Sequence, residues 1–303
     1  MTCKASIKPG LINLDRIDEF RARPEDFQLI ERIPITREGV EFPYKLSAQV
    51  GDERTILVID VESTGLDRIH DKIIELGMAK IRYSFSEARI TSVEACYSEF
   101  EDPKEALKPE IIEITGITDD MLTGKRFNDE EVEKWINDAD LICAHGAGFD
   151  RPLVEKRFPA AKDKPWCCTL REIDWNAMGL NSHKLDYLVY RTGYFYNAHR
   201  ALIDCLAVTW LLHVLPEAFV SLLDTARQRT AVVHAFGAPF EIKDTLRNSG
   251  YRWDNGDNAH SKHWWKEVAE ERVDDEMALL REYYRADEMC SIQYKTAFER
   301  YKL

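Results

Sequence analysis

The sequence predicts an α/β fold built on a mixed sheet, and three observations support this prediction. The continuous apolar run ILVI at 56–59 ends at an acidic residue, which is typical of a buried central strand. Two further strand-like segments, 73–83 and 90–100, flank the polar turn 84–89. The chain then alternates between strand and helix patterns, and this order favours a mixed sheet in a domain that ends near Pro216.

The elements follow in order from local signals. Residues 1–52 show little periodicity, and we expect an N-terminal extension that packs on a main domain, 53–216. Asn128 and Glu131 form a capping box that begins a helix through Trp135. LICA at 141–144 predicts another buried strand, and GFD at 148–150 opens the next helix. Helices are expected at 184–190 and at 201–215, the second nearly all apolar and therefore buried.

Beyond Pro216 the pattern changes, and we predict a small α+β C-terminal module, 217–303, whose role does not follow from the sequence. An amphipathic helix is expected at 219–231, and 274–289 is expected to be helical. DNGD at 254–257 predicts a turn between two short strands. His260 and His263 lack cysteines at metal-binding spacing, so no zinc site is expected.

Basic and aromatic side chains interleave in this module, at Arg252, Trp253, Lys262, His263, Trp264, Trp265 and Lys266. Such side chains can stack on unpaired bases and neutralise phosphates. They can equally form the core of a small domain. The sequence leaves both interpretations open and slightly favours the core.

Composition limits the range of functions. With 303 residues, 45% of them hydrophobic, the chain can build a sizeable core and more than one domain. Its formal charge of −13 argues against a broad, sequence-independent grip on nucleic acid, and charge alone favours an acidic protein without that partner. Contact with one end of a nucleic-acid strand needs only a local positive patch.

The 7 cysteines form no C-x-x-C pair, which suits a reducing compartment. Because no apolar leader or bilayer-spanning segment is evident, we expect a cytoplasmic location and no membrane association.

Four acidic residues are the strongest candidates for a site. Asp60 and Glu62 lie two apart on a predicted strand, so their side chains point to the same side at its carboxyl end. A pair of solvated acids at a strand end is the common alternative. Asp150 lies in the first turn of a helix that follows a buried strand, where the helix dipole alone would favour an acid.

Asp204 is harder to explain without a ligand. It lies within an apolar helix, where an ionised carboxylate is costly unless it is paired or bound to metal. An ion pair with Arg200 is the alternative to metal binding, which we favour. His199 precedes Asp204 by five positions, roughly 140° around an ideal helix, so we place it on the loop at the helix entrance. There it can approach a metal-bound water. We interpret His145 as structural.

Carboxylates are natural ligands of Mg²⁺ and Mn²⁺, and a nearby histidine can take a proton from an attacking water. The chain carries, in order, DVESTGL at 60–66, IELG at 74–77, ITGIT at 114–118, AHGAGFD at 144–150, HKL at 183–185 and HRALID at 199–204. This series, over roughly 55–215, resembles the DEDD superfamily of 3′→5′ exonucleases, in the branch whose third motif is H-x4-D.

The resemblance implies a ribonuclease H-like fold, with a mixed five-stranded sheet flanked by helices. It implies two divalent cations, Mg²⁺ or Mn²⁺, with Asp60 bridging both, Glu62 and Asp204 completing the cluster, and Asp150 binding the second ion. By the same resemblance His199 is the general base. The loop expected to hold the terminal nucleotide, with its last residue stacking near the base, consists of Ser63, Thr64, Gly65 and Leu66.

The function implied is a two-metal 3′→5′ exonuclease that releases nucleoside 5′-monophosphates from single-stranded or frayed DNA ends, as in proofreading or repair. Short RNA is the alternative substrate, because nothing in the motifs reads a 2′-hydroxyl. A non-catalytic protein that binds nucleic acid or a polymerase on the same fold is a third hypothesis. A DNA polymerase or repair protein is a further partner to test, although the tail carries no recognisable polymerase tether.

Overall fold

A computed structural model describes residues 14–256 and 261–303, so Asp257 of the predicted turn and His260 lie outside the described residues. The strands are β1 Glu31–Arg32, β2 Tyr44–Lys45, β3 Glu53–Ser63, β4 Ile73–Ser84, β5 Arg89–Phe100, β6 Leu141–Ala144, β7 Trp166–Cys168, β8 Tyr194–Phe195, β9 Thr230–Phe236, β10 Arg252–Asp254, β11 His263–Ala269 and β12 Cys290–Lys295. The helices are α1 Ile17–Ala22, α2 Pro109–Thr115, α3 Asp119–Leu122, α4 Asp129–Asp138, α5 Ala147–Arg157, α6 Leu185–Arg191, α7 Ala201–Val214, α8 Pro216–Arg227, α9 Lys243–Asn248, α10 Val273–Arg281 and α11 Ala286–Met289.

Six strands form the large sheet, in the order β2-β5-β4-β3-β6-β7. Strands β3, β4 and β5 form an antiparallel meander, whereas β6 and β7 run parallel to β3. This arrangement confirms the predicted mixed α/β fold with helices on both faces. The prediction of five strands omitted β2, a two-residue edge strand that the N-terminal segment adds beside β5.

The central strand β3 is buried on both faces, and its alternation determines where the acids point. Ile56 and Val58 pack in the core on the α7 side, whereas Leu57 and Ile59 pack in the core on the α5 side. Side chains of a strand alternate between its faces. Asp60 and Glu62 therefore continue the face that lies against α7.

The N-terminal segment packs on the large sheet, as expected, although the domain limit at residue 52 stays a prediction. Ile33 and Ile35 are fully buried in the core on the α7 side. Strand β1 pairs in parallel with β8, directly before the loop that leads to His199. The segment thus supports the region through which the chain enters α7.

Several local predictions for the helices are confirmed. The Asn128 side chain accepts a hydrogen bond from the backbone N–H of Glu131, as the capping box requires. The predicted helix at 201–215 is α7, which is buried along most of its length. Within the described ranges no single helix is long and apolar enough to cross a membrane; only α7 and α8 together, bent by 105°, reach that length and composition.

The helix predicted at 219–231 was wrong at its carboxyl end. Helix α8 ends at Arg227, and Thr230–Phe236 forms the strand β9 instead. Valines and threonine favour a pleated, half-buried surface, which explains the change of structure within one apolar stretch. Phe219 and Leu222 of α8 pack in the large-sheet core. The limit between 216 and 217 stays a prediction, but this helix belongs to the large sheet by its packing.

Four antiparallel strands form the small sheet, in the order β10-β11-β9-β12. Helices α9, α10 and α11 cover one of its faces, where Leu246, Met277 and Leu280 pack against Ala231 and Val233. This arrangement confirms the predicted small α+β module. The helix predicted at 274–289 is divided into α10 and α11.

After β12 the chain returns to the large sheet. The Arg151 guanidinium is fully buried and donates to the backbone carbonyls of Ala297, Phe298 and Arg300 at 2.7–3.1 Å. The carbonyl of Ala297 also accepts from the N–H of Trp166 in β7 at 2.8 Å. Residues 297–301 are thereby part of the large-sheet domain, although they follow the small sheet in sequence.

Candidate metal centre and active site

Strand β3 presents two of the predicted acids at its carboxyl end. Asp60 and Glu62 lie opposite Gly77 and Glu75 of β4 in the strand register. Asp60, Glu62 and Asp204 each offer one carboxylate oxygen, and these atoms all lie within 4.8 Å of one another. Oxygen ligands at this spacing suit a divalent cation such as Mg²⁺ or Mn²⁺.

Helix α7 approaches the sheet closely at Gly77, and this contact brings Asp204 to Asp60. A Cβ on Gly77 would lie 2.2 Å from the backbone carbon of Ala201 and from the backbone nitrogen of Leu202. Asp204 is fixed by two donors: the Tyr196 hydroxyl at 3.1 Å and the Arg200 N–H at 3.1 Å. Each carboxylate oxygen accepts one of these bonds and keeps a lone pair for a cation.

Asp150 reaches the same place from the opposite face of the sheet. Helix α5, which carries it, packs in the core on the other side of β3. Its side chain is almost fully buried and accepts a bond from the N–H of Val61 at 3.3 Å. That bond ties the start of α5 to the strand between Asp60 and Glu62.

His199 lies outside the helix, as predicted. Helix α7 begins at Ala201, and His199 has a left-handed backbone conformation with φ of 67°. Its side chain is exposed. A non-glycine residue in this conformation requires support from its surroundings. The turn directs the chain into α7 while His199 lines the same cavity as the acids.

All five predicted residues, the four acids and His199, line one open cavity of about 280 Å³. Burial, followed by the charges of Asp150, Asp204 and Glu62, raises the pKa of Asp60 well above its usual value. Burial and the neighbouring carboxylates raise the pKa of Glu62 to about 8. Burial raises the pKa of Asp150 to about 7 and also raises that of Asp204. Bound cations would offset this repulsion.

Sequence reasoning missed the ion pair that supports the cluster. Glu75 is buried in β4 and accepts from the Arg200 guanidinium at 2.9 Å and from the Ala201 N–H at 3.2 Å. The guanidinium of Arg200 therefore pairs with Glu75, and the alternative in which it pairs with Asp204 was wrong. The IELG motif at 74–77 contains Glu75, but no local pattern identifies a partner 125 positions away.

Both ring nitrogens of His145 are hydrogen-bonded within the protein. Its Nε2–H donates to the carbonyl of His183 at 2.9 Å, and its Nδ1 accepts from the Thr169 hydroxyl at 2.8 Å. Burial lowers the pKa of His145 to about 4. The ring is therefore neutral at pH 7, with both nitrogens engaged.

The predicted substrate loop presents little polar surface. The Ser63 hydroxyl donates to the carbonyl of Gly65 at 2.6 Å, and the Thr64 hydroxyl donates to Asp71 at 2.8 Å. A Cβ on Gly65 would lie 2.4 Å from an Asp71 oxygen, so a side chain there would displace the carboxylate that accepts from Thr64. Leu66 is 86% exposed. The loop thus offers backbone and one apolar side chain to a ligand, while both hydroxyls stabilise the loop.

Comparison with known proteins assigns the family. The RNase T model of the exonuclease family matches residues 57–212, just over half of the chain. The chain belongs to this exonuclease family. The matched residues 57–212, which we call the exonuclease domain, contain every acid of the cluster and His199.

Among curated proteins, the exonuclease domain is similar to PolC-type DNA polymerase III. The Bacillus cereus protein is 32% identical over 186 residues, which cover 59% of this chain and 12% of the relative. The Bacillus subtilis protein is 33% identical over 184 residues, which cover 58% of this chain and 12% of the relative. The chain thus spans only about one-eighth of the length of these relatives.

Among solved structures, the chain is similar to exonuclease X in complex with 5′ overhanging duplex DNA. That structure is 22% identical, has a TM-score of 0.43, and the match covers 56% of this chain and 98% of that one. The zinc-bound complex of E. coli exonuclease I with single-stranded DNA is 17% identical, has a TM-score of 0.48, and the match covers 71% of this chain and 63% of that one.

Proposed function

We propose that this chain is a metal-dependent 3′→5′ exonuclease that hydrolyses the terminal phosphodiester of DNA and releases nucleoside 5′-monophosphates. The observation that carries the proposal is the convergence of Asp60, Glu62, Asp150, Asp204 and His199 around one cavity of about 280 Å³. Membership of the exonuclease family supports the reaction class.

The donor set of the cavity fits divalent cations. Three carboxylates on β3 and α7 each offer one oxygen, and these oxygens lie within 4.8 Å of one another. Asp150 adds a fourth carboxylate from α5. We propose that these residues hold two Mg²⁺ or Mn²⁺ ions. When bound, such ions supply charge stabilisation for the attacking and leaving oxygens of an in-line displacement.

The protein's own groups provide positioning and proton transfer. His199 is exposed at the mouth of the cavity, where it can accept the proton of the attacking water. Tyr196 and the Arg200 N–H hold both oxygens of Asp204, which limits the movement of that ligand. Leu66 and the backbone of residues 63–66 would contact the terminal base and sugar.

Single-stranded or frayed DNA is the proposed substrate because the similar polymerases act, by their names, on DNA. Short RNA remains the second candidate. A polymerase or repair protein is the proposed macromolecular partner. The six described cysteines are all free, which supports the proposed cytoplasmic location.

The direct test is digestion of a 5′-labelled single strand with Mg²⁺ or Mn²⁺, compared with the same strand labelled at its 3′ end. Trimming from the 3′ end should shorten the 5′-labelled strand stepwise and release the 3′ label at once as a mononucleotide. Asp60→Asn should lower the rate at least about 100-fold. Loss of a residue that only orients a metal ligand can lower activity by up to about 100-fold, and Asp60 is a proposed ligand itself. Glu133→Gln changes an exposed acid on α4 and should leave the rate unchanged.

Two outcomes would contradict the proposal. Asp60→Asn protein that digests DNA at the wild-type rate would show that the acidic cluster is not the site. Binding of the strand without any digestion would favour the non-catalytic hypothesis. Competition between DNA and RNA of one sequence decides the substrate.

A further inference from the structure

A groove lies between the large sheet and the uncovered face of the small sheet. It consists of two adjoining depressions of about 630 and 680 Å³, which share Arg171, Arg252, Trp265 and Tyr301. We call it the inter-sheet groove. Helices α9–α11 cover the other face of the small sheet, so this face is the one left open.

The inter-sheet groove is basic in an acidic protein. Seven lysines and arginines line it against three acidic side chains, whereas the chain carries a formal charge of −13. Glu172 pairs with Arg300, whereas Glu267 and Asp254 accept from neutral groups, the Thr230 hydroxyl and the Gly256 N–H, and keep their charge. Because the basic side chains still outnumber the acidic ones by seven to three, the lining is positive overall.

Four of the basic side chains are available to a ligand. Within residues 14–256 and 261–303, no ion pair involves Arg171, Arg252, Lys295 or Lys302. Arg171, Arg252 and Lys302 are exposed, and Lys295 is half-buried. Several unpaired cations in one groove suit a polyanion better than an isolated ion.

Strand alternation divides the aromatic residues of the hairpin β10–β11 between two roles. Trp264 is buried in the small-sheet core with Tyr251, and Trp253 packs against it with ring centroids 5.4 Å apart. Trp265 is half-buried on the opposite face, with the Arg252 guanidinium 5.5 Å from its ring centroid. One face of the hairpin thus forms core, as one interpretation of the sequence expects. The other face lines the groove, where the base stacking of the second interpretation would take place.

The groove adjoins the candidate active site on two sides. Arg68 lines the groove and donates to the carbonyl of Gly148 at 3.1 Å, two residues before Asp150. His183 also lines the groove, and its carbonyl accepts from His145, which lines the acidic cavity. These two contacts connect the groove lining to the residues around the acidic cavity, so a strand whose 3′ end lies in the cavity can continue into the groove.

We propose that the inter-sheet groove binds the single-stranded tract of nucleic acid that precedes the terminal nucleotide, an inference that rests on the proposed function. Arg171, Arg252, Lys295 and Lys302 contact successive phosphates, and Trp265 stacks on an unpaired base. Stacking on an indole requires a base released from its pair, which favours a single strand over a duplex. The small sheet thereby binds the part of the substrate that precedes the terminal nucleotide.

The test measures equilibrium binding of 5′-fluorescein oligothymidylates of 3 and 18 nucleotides, with EDTA present so that hydrolysis does not interfere. The double variant Arg171→Gln with Arg252→Gln should weaken binding of the 18-mer about tenfold or more and reduce the slope of log K against log salt by about 1.4, since each phosphate neutralised on a single strand contributes about 0.7. Trp265→Ala should weaken 18-mer binding about tenfold. Binding of the 3-mer should stay unchanged.

Matched controls come from the other face of the small sheet. Arg247→Gln with Arg285→Gln makes the same charge change on the helix-covered side and should leave the 18-mer affinity unchanged. Trp253→Phe alters the hairpin's core face and should also have no effect. Circular dichroism of every variant confirms that the small sheet is folded.

The outcomes separate the inference from the proposed function. Unchanged 18-mer affinity and salt slope in the double variant would overturn the groove assignment even if digestion is normal. Equal affinity for an 18-base-pair duplex, or for an acidic peptide of 18 residues, would overturn the assignment to a single strand. Wild-type protein that binds the 18-mer through these residues but digests nothing would refute the exonuclease proposal and leave the groove as a binding surface.

Discussion

Asp60 shares one open cavity with three other carboxylates, Glu62, Asp150 and Asp204. Desolvation and mutual repulsion both favour the protonated forms, which is why the pKa values of Asp60, Glu62, Asp150 and Asp204 are all raised. Without cations the cluster destabilises the fold at neutral pH. The same charge favours the proposed binding of divalent ions, so we expect stability and metal binding to be coupled.

The stability of the metal-free protein should therefore fall as the pH rises from about 4 to about 8, the range between the ordinary pKa of a glutamate and the raised pKa of Glu62. In this range the folded protein holds protons that the unfolded chain has released, and each pKa unit corresponds to about 1.4 kcal/mol for an independent group. Urea unfolding in EDTA at a series of pH values measures the effect.

Added Mn²⁺ should raise the unfolding midpoint more at pH 8 than at pH 5, since the ion competes with protons for the carboxylates. The variant Asp60→Asn with Glu62→Gln should have a flatter pH profile in EDTA. A metal-free protein that gains stability over this pH range would contradict the raised pKa values.

At this scale the sequence predicted which acids come together, but not their surroundings, and their role as metal ligands stays a prediction. Asp60, Glu62 and Asp204 could be identified because motifs and burial patterns are local properties of the chain. The donors that fix Asp204, and the pairing of Arg200 with Glu75, depend on contacts between distant elements. Only the folded arrangement of β4 against α7 reveals them.

Among the elements, the contact between β4 and the first turn of α7 controls the site. Gly77 lets the helix backbone lie directly on the strand, and the Cys205 thiol donates to the Gly77 carbonyl at 3.3 Å. The IELG motif contains this glycine, but the reason for it becomes visible only when α7 is in place. Strand β3 was predictable in contrast, since its continuous apolar run follows from burial on both faces.

Gly77→Ala should displace α7, because the new Cβ would lie 2.2 Å from backbone atoms that no side-chain rotation can move away. We expect a loss of roughly 1–3 kcal/mol of stability, as in other overpacked cores, together with weaker Mn²⁺ binding. Urea unfolding and isothermal titration calorimetry with Mn²⁺ measure the two effects.

Gly148→Ala is the matched control, since its Cβ meets its nearest neighbour at 3.7 Å and helix α5 accommodates alanine. It should keep full stability and Mn²⁺ affinity. If Gly77→Ala binds Mn²⁺ as tightly as the wild type, Asp204 does not depend on this helix contact.

For the whole molecule, the return of residues 297–301 to the large sheet joins the two sheets into one unit. Arg151 is buried, and its charge is satisfied by Glu155 and by carbonyls of this tail. Arg300 is also buried, and it donates to the carbonyl of Thr225 at 2.9 Å. No sequence pattern predicts this return, because the partners are backbone carbonyls far along the chain.

Removal of residues 296–303 should destabilise the exonuclease domain itself, not only the small sheet. The deletion removes the carbonyl acceptors of Arg151 and also Arg300, the cation that pairs with buried Glu172. Loss of one member of a buried ion pair costs about 3–5 kcal/mol. Chemical denaturation followed by Trp fluorescence measures the loss. Removal of 302–303 alone, two exposed residues, should have little effect, and equal stability of both truncated proteins would contradict the role of the tail.

The small sheet is thus held to the exonuclease domain at both of its ends, by α8 before β9 and by residues 297–301 after β12. A protease cut at Gln228 or Arg229 would sever the backbone without freeing the downstream fragment. The two pieces should co-elute from a sizing column under native conditions and separate only in denaturant.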